Sequence, residues 1–227
     1  MPPVRGSASR RAPARARRAP DRILILECDS DKLAAQGLAL GQRLAEHPQW
    51  NINEPEVTLA TLRSADDVDD VFDDLGRKRY RGIVLIAHSN ANIACLAPQV
   101  RERWTELGKR LRPLRPEKVI LFACKGGMTK VGHELFRAVP SLKRIYASPA
   151  NVSRRQASSL CDAAALMLAQ RNVSPDVRQV LQGLHFLVNN GLFFELRREQ
   201  FSTAKGRRKA LVVELGLRLL QQHLSGS

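Results

Sequence analysis

From residue 22 onward, short apolar runs alternate with segments whose apolar residues recur every three or four positions. The run Ile23-Leu24-Ile25-Leu26 is continuous, as in a strand buried on both faces. It closes on Glu27-Cys28-Asp29-Ser30-Asp31, where Asp31 is placed to cap a helix carrying Leu33, Leu40 and Leu44 before Pro48 stops it. Val57 to Leu62 reads as a second strand. Ser64 then caps a helix with Val68, Val71, Phe72 and Leu75 at helical spacing and Gly76 as its stop. Gly82 to Ala87 is a third strand ending at His88-Ser89-Asn90, and Lys118 to Ala123 a fourth ending at Cys124-Lys125-Gly126-Gly127. Between them, residues 98 to 112 read as a basic helix. A helix through Val131, Leu135 and Phe136 ends near Pro140, and Arg144 to Ala147 forms a fifth strand before Ser148-Pro149-Ala150-Asn151 and a long helix over about 153 to 171.

Strands alternating with helices of this length predict an α/β fold, a doubly wound and mostly parallel sheet of about five strands, because parallel strands need crossover connections. Ligands bind such sheets at the carboxyl ends of the strands. His88 and Cys124 both fall on that edge. Beyond Pro175 the pattern changes to a helix with Val177, Val180, Leu181 and Leu184, a short strand at Leu192 to Leu196, the basic stretch Lys205 to Lys209, and a final helix from 210 to 224. The chain divides into an Arg-rich arm (1–21), an α/β domain (22–172) and a C-terminal extension packed on the sheet (173–227).

Composition refines this picture. The 227 residues suffice for one domain of ordinary size, and with only 5% aromatic residues the core must be built from Leu, Ile, Val and Ala. Net charge is +15, yet residues 1 to 22 hold seven arginines against one acid, Asp21. That arm has too little apolar surface to pack, so it is predicted to be disordered and to contact polyanions. The basic tracts 101–118 and 205–209 accompany no recognised nucleic-acid module and read as solvated faces. The pairs Asp66-Asp67, Asp69-Asp70 and Asp73-Asp74 alternate with core positions, which fits the outer face of a helix better than a metal site.

Cys28, Cys95, Cys124 and Cys161 are widely separated, without metal-ligand spacing, and read as reduced thiols of a cytoplasmic protein. No apolar stretch follows the positive start as in a signal peptide, and no segment has the length of a membrane span, so no membrane partner is expected. An acid-poor, Arg-rich start also fits an organelle transit peptide. No G-x-G-x-x-G or Walker lysine follows a strand, so neither a nucleotide cofactor nor a metal is expected.

The chemistry gathers at the two strand ends. Neighbouring strands lie about 4.8 Å apart, so a His ending one and a Cys ending the next come within hydrogen-bond reach. A thiol beside a neutral imidazole is readily ionised, and exposed backbone N–H groups stabilise the oxyanion that follows its attack on a carbonyl. Gly126 and Gly127 allow the turn after Cys124 an unusual conformation. The order strand, His, helix, strand, Ala-Cys-x-Gly resembles the caspase-like (clan CD) cysteine peptidases, in particular the bacterial CHAT branch related to separase. Ala87-His88 is similar to the family's strand-terminal His, and Phe122-Ala123-Cys124-Lys125-Gly126 to its Ala-Cys motif. The stretch Tyr146 to Asp162 is also similar, and the resemblance covers about residues 22 to 170.

The resemblance implies a cysteine endopeptidase acting on a peptide or protein substrate, with Cys124 as nucleophile, His88 as general base and acid, and the backbone N–H groups of Ser89 and Cys124 as oxyanion hole. The family usually has Gly after the His. Ser89 can donate the same N–H, but at positive φ it would cost on the order of 1 kcal/mol. Two alternatives therefore stay open: a catalytically inactive relative acting as a basic binding module, and a serine hydrolase using Ser89 in Ala87-His88-Ser89-Asn90-Ala91, which is similar to the G-x-S-x-G elbow but has no acid after the fifth strand. For substrate binding, Glu27 and Asp29 are expected to pair with a Lys or Arg before the scissile bond, whereas Arg154 and Arg155 would favour an acid. Cys28 ends a strand without a His after a neighbouring strand in this pattern. Cys95 and Cys161 are placed on helix faces, and His47, His133, His185 and His223 at the surface or in the core. The oligomeric state is left open.

Overall fold

In the computed structural model, which describes residues 21–28, 40–46, 55–76, 78–152, 164–165, 168 and 194–225, the first apolar run forms β1 (Arg22–Cys28), buried from Ile23 to Cys28. β2 (Glu56–Leu62) and β3 (Gly82–Ile86) pair with its two sides, both parallel. β7 (Lys118–Phe122) follows β3, then β8 (Arg144–Ala147), and an antiparallel β9 (Phe194–Arg197) closes the edge. The fold is α/β, with a mostly parallel six-stranded sheet in the order β2-β1-β3-β7-β8-β9. The sixth strand comes from the C-terminal extension, which completes the sheet edge.

Alternate residues of the central strands feed two cores, as strands buried on both faces require. Leu24, Leu26, Ile83, Leu85, Val119 and Leu121 share one core with α2 (Ala65–Leu75), α3 (Trp104–Leu111) and α4 (Thr129–Ala138). Ile23, Ile25, Val84, Ile86, Ile120 and Phe122 share the other with Leu44 of α1 (Leu40–Ala45) and with Ala164, Ala165 and Leu168. Ser64 caps α2 in a capping box with Asp67, and Val68, Phe72 and Leu75 are buried. Asp66, Asp69, Asp70, Asp73 and Asp74 face solvent, and Asp69 pairs with Arg110. Among the described residues, no cluster of His, Cys, Asp or Glu could hold a metal ion, and no helix is long and apolar enough to cross a membrane.

The expected basic helix over 98–112 opens instead as a turn and a four-residue strand. Residues 88 to 103 form a small antiparallel sheet of β4 (His88–Ser89), β5 (Ile93–Ala97) and β6 (Val100–Arg103), and the helix begins only at Trp104. Pro98-Gln99 is a two-residue turn with Ala97 paired to Val100, and this pairing, absent from any helical count of residue types, decides the local structure. Cys95 consequently lies on β5 and not on a helix face. The last helix, α6 (Ala204–Ser225), starts six residues before its expected position at 210, because the basic stretch is its first turns, and it follows the short α5 (Arg198–Ser202). Residues 1–20 of the arm, Asp29, Asp31, Arg154, Arg155, Cys161, His47 and the helix expected after Pro175 lie outside the described residues.

Candidate active site

β1 sits between β2 and β3, so successive connections leave it in opposite directions, and the crevice of such a sheet opens where they diverge. β3 leads straight to that crevice. Its ladder with β7 runs from Gly82 opposite Lys118 to Ile86 opposite Phe122, and the Ala87 N–H still donates to the Phe122 carbonyl at 3.2 Å. The ladder with β7 goes no further, because His88 and Ser89 pair next with β5 of the small sheet. A second contact ties the ends together: the Ser89 hydroxyl donates to the Cys124 carbonyl oxygen at 2.5 Å.

The His88 side is built as a hairpin. Asn90 N–H donates to Ile93 O at 2.9 Å, while the Asn90 side-chain oxygen accepts from Asn92 and Ile93 N–H at 2.8 and 3.0 Å. Trp104 Nε1 donates to Asn90 O at 3.0 Å, and Lys130 Nζ to Asn92 Oδ1 at 2.5 Å, which pins the loop to the starts of two helices. In an antiparallel pair, hydrogen-bonded and non-bonded positions alternate. Asn90 and Ile93 are bonded, so Ser89 and Ala94 are the non-bonded pair, and the Ser89 N–H points away from β5. His88 is solvent-exposed.

The Cys124 side is a tight turn. Lys125 has a φ of 58°, and the N–H groups of Lys125, Gly126, Gly127 and Met128 donate to Ala150, Ala123, Ser148 and Lys125 carbonyls at 2.6 to 3.2 Å. The amides after Cys124 are therefore used within the protein, and among the described residues the turn offers an incoming oxyanion only the N–H of Cys124 itself. Positive φ falls on Lys125, the residue just before the two glycines expected to shape the turn. Gly126 serves closeness instead: a Cβ there would lie 3.2 Å from Leu121 and 3.3 Å from Ala123 O. Ser89 is not among the described residues of positive φ, so its backbone carries no left-handed strain.

Cys124 is half-buried, and the Val152 N–H donates to its sulfur at 3.4 Å. The thiol in turn donates to the Val152 carbonyl at 3.9 Å, so one residue meets the sulfur with both of its backbone polar groups. Nothing in the pattern of residue types marked Val152, because its contribution is a backbone group. β3 neighbours β1 as well as β7, so His88 does follow a strand next to Cys28, contrary to expectation. Burial separates the two thiols: Cys28 is 2% exposed, and its thiol is pushed well above the ordinary range by burial, then by Cys95 and Glu27. Cys95 is directly opposite His88 across the β4–β5 ladder.

Glu27, expected at the substrate, is buried at the end of β1 and accepts the Gly41 N–H of α1 at 3.2 Å. Comparison with protein-family models and with curated proteins gives no match.

Proposed function

We propose that this protein is a cysteine endopeptidase similar to the caspase-like enzymes. The observation that supports the reading most is the bond from the Ser89 hydroxyl to the Cys124 carbonyl, which ties the chain just after His88 to the turn that carries Cys124 at the carboxyl ends of β3 and β7. In this reading His88 takes the thiol proton and the Cys124 sulfur bonds to the substrate carbonyl carbon. The oxyanion so formed is met by the N–H groups of Ser89 and Cys124. The imidazolium then protonates the leaving amine as the C–N bond breaks. Water, activated by the same imidazole, hydrolyses the thioester and restores the thiol. The Ser89 hydroxyl is engaged with the Cys124 carbonyl, which argues for a positioning role and against Ser89 as nucleophile.

Specificity rests on charge. The buried Glu27 carboxylate favours a Lys or Arg before the scissile bond through the field it sets up in a low-dielectric edge. A second reading, an inactive relative serving as a basic binding module, draws on the exposure of His88, whose ring no described residue orients. Peptide-library cleavage separates the two. Cys124→Ala and His88→Ala should each lower cleavage by at least about 10³-fold with the fold intact. Equal residual cleavage in wild type and Cys124→Ala, or none in either, leaves only the binding module.

A further inference from the structure

Among the described residues, the outward side of α6 gathers most of the exposed large hydrophobic side chains. Ala210 and Glu214 are buried and Leu217 half-buried, and this i, i+4, i+7 row is the side packed on the protein. On the opposite side Arg208, Val212, Leu215 and Leu219 follow one another at the same spacing, with Val212 68% and Leu219 66% exposed. Leu211 and Val213 are exposed beside them. Glu214 is the only acidic residue of α6, and it is turned inward, where it accepts the Thr129 N–H at 2.7 Å. The exposed side of this 22-residue helix is therefore aliphatic and cationic, with no acid to neutralise Lys205, Arg208 and Lys209 at its N-terminal end.

We propose that α6 docks onto an anionic lipid surface. Charge complementarity selects this occupant: three exposed cations of the first two turns meet headgroup phosphates, while Val212, Leu215 and Leu219 enter the boundary between headgroups and acyl chains. A nucleic acid would satisfy the cations and leave the aliphatic row in water. A second copy of the chain is disfavoured by charge, because parallel pairing sets Lys205, Arg208 and Lys209 against themselves. Antiparallel pairing sets them against residues 221–225, which include no acid. The contact is with one face of a bilayer and involves no crossing, in keeping with the absence of a sufficiently apolar helix among the described residues.

The test uses the full chain with vesicles of phosphatidylcholine alone or mixed with phosphatidylglycerol. Co-sedimentation should be roughly tenfold or more stronger with the anionic mixture. The exposed double substitution Val212→Ser/Leu219→Ser should remove most of the binding that persists at high salt, whereas the Arg-rich arm can supply only salt-sensitive binding. Leu219→Trp should show a blue-shifted emission on anionic vesicles. Three results would each overturn the proposal: no preference for anionic vesicles, binding unaltered by the double substitution, or a dimer in solution that the same substitution dissociates.

Discussion

Lys125 holds the left-handed conformation between Cys124 and Gly126, a position where a side chain costs energy that glycine does not. Its amide and those of the next three residues are all bonded to carbonyls, so the turn is held in this shape from several sides. Lys125→Gly should therefore stabilise the protein by about 0.5 to 1 kcal/mol, the relief of strain exceeding the greater freedom of glycine in the unfolded chain. Thermal denaturation would register this as a rise of roughly 2 °C. A fall in melting temperature would mean that the Lys125 side chain holds the turn.

The elements around the crevice are coupled by charge as well as packing. No side chain near in sequence caps the start of α4, the helix that follows the Cys124 turn; Glu214 does so from α6. Glu214→Ala should cost about 1 to 2 kcal/mol, since it leaves an N–H of the first turn without its acceptor, and Glu214→Gln should recover much of it. Urea denaturation measures the cost, and faster hydrogen exchange at Thr129 identifies its source. At the other edge, the Tyr146 hydroxyl donates to Glu195 at 3.1 Å, and Arg144 and Arg197 flank the same carboxylate. Burial first, and then the Glu195 charge, push the Tyr146 phenol up to about 12. The folded state thus favours the neutral phenol. Its contribution is complete below the ordinary phenol value near 10 and is lost as pH rises toward the folded value. Stability should fall by on the order of 2 kcal/mol across that window. Tyr146→Phe should show a correspondingly shallower decline in denaturation series at pH 9 and pH 11.

At the scale of the whole molecule, the parallel sheet was legible because its central strands are continuous aliphatic runs, and continuous runs separated by helical spacing leave few topologies. The edge and the crevice were less so. β9 joins the sheet from 47 residues after β8, a pairing that no local pattern encodes. The β4–β5–β6 hairpins were hidden because Val100 to Arg103 alternate half-buried and exposed residues that a helix would also accept. His88 and Cys124 could be read from their places at strand ends, but Cys95 opposite His88 and the Val152 N–H at the sulfur depend on tertiary pairing. Glu27 was visible as an acid at a strand end, while its burial under α1 was not.

The central claim is that His88 and Cys124 act together. Iodoacetamide modification at pH 7, followed by mass spectrometry, tests it without knowledge of the substrate, because only a thiolate reacts at appreciable rate. Wild type should be labelled at Cys124 first, with Cys28 unlabelled in the folded protein. His88→Ala should slow Cys124 labelling by about tenfold or more, by removing the base that takes its proton. A Cys124 rate unchanged in His88→Ala, or labelling of Cys95 ahead of Cys124, would contradict the dyad.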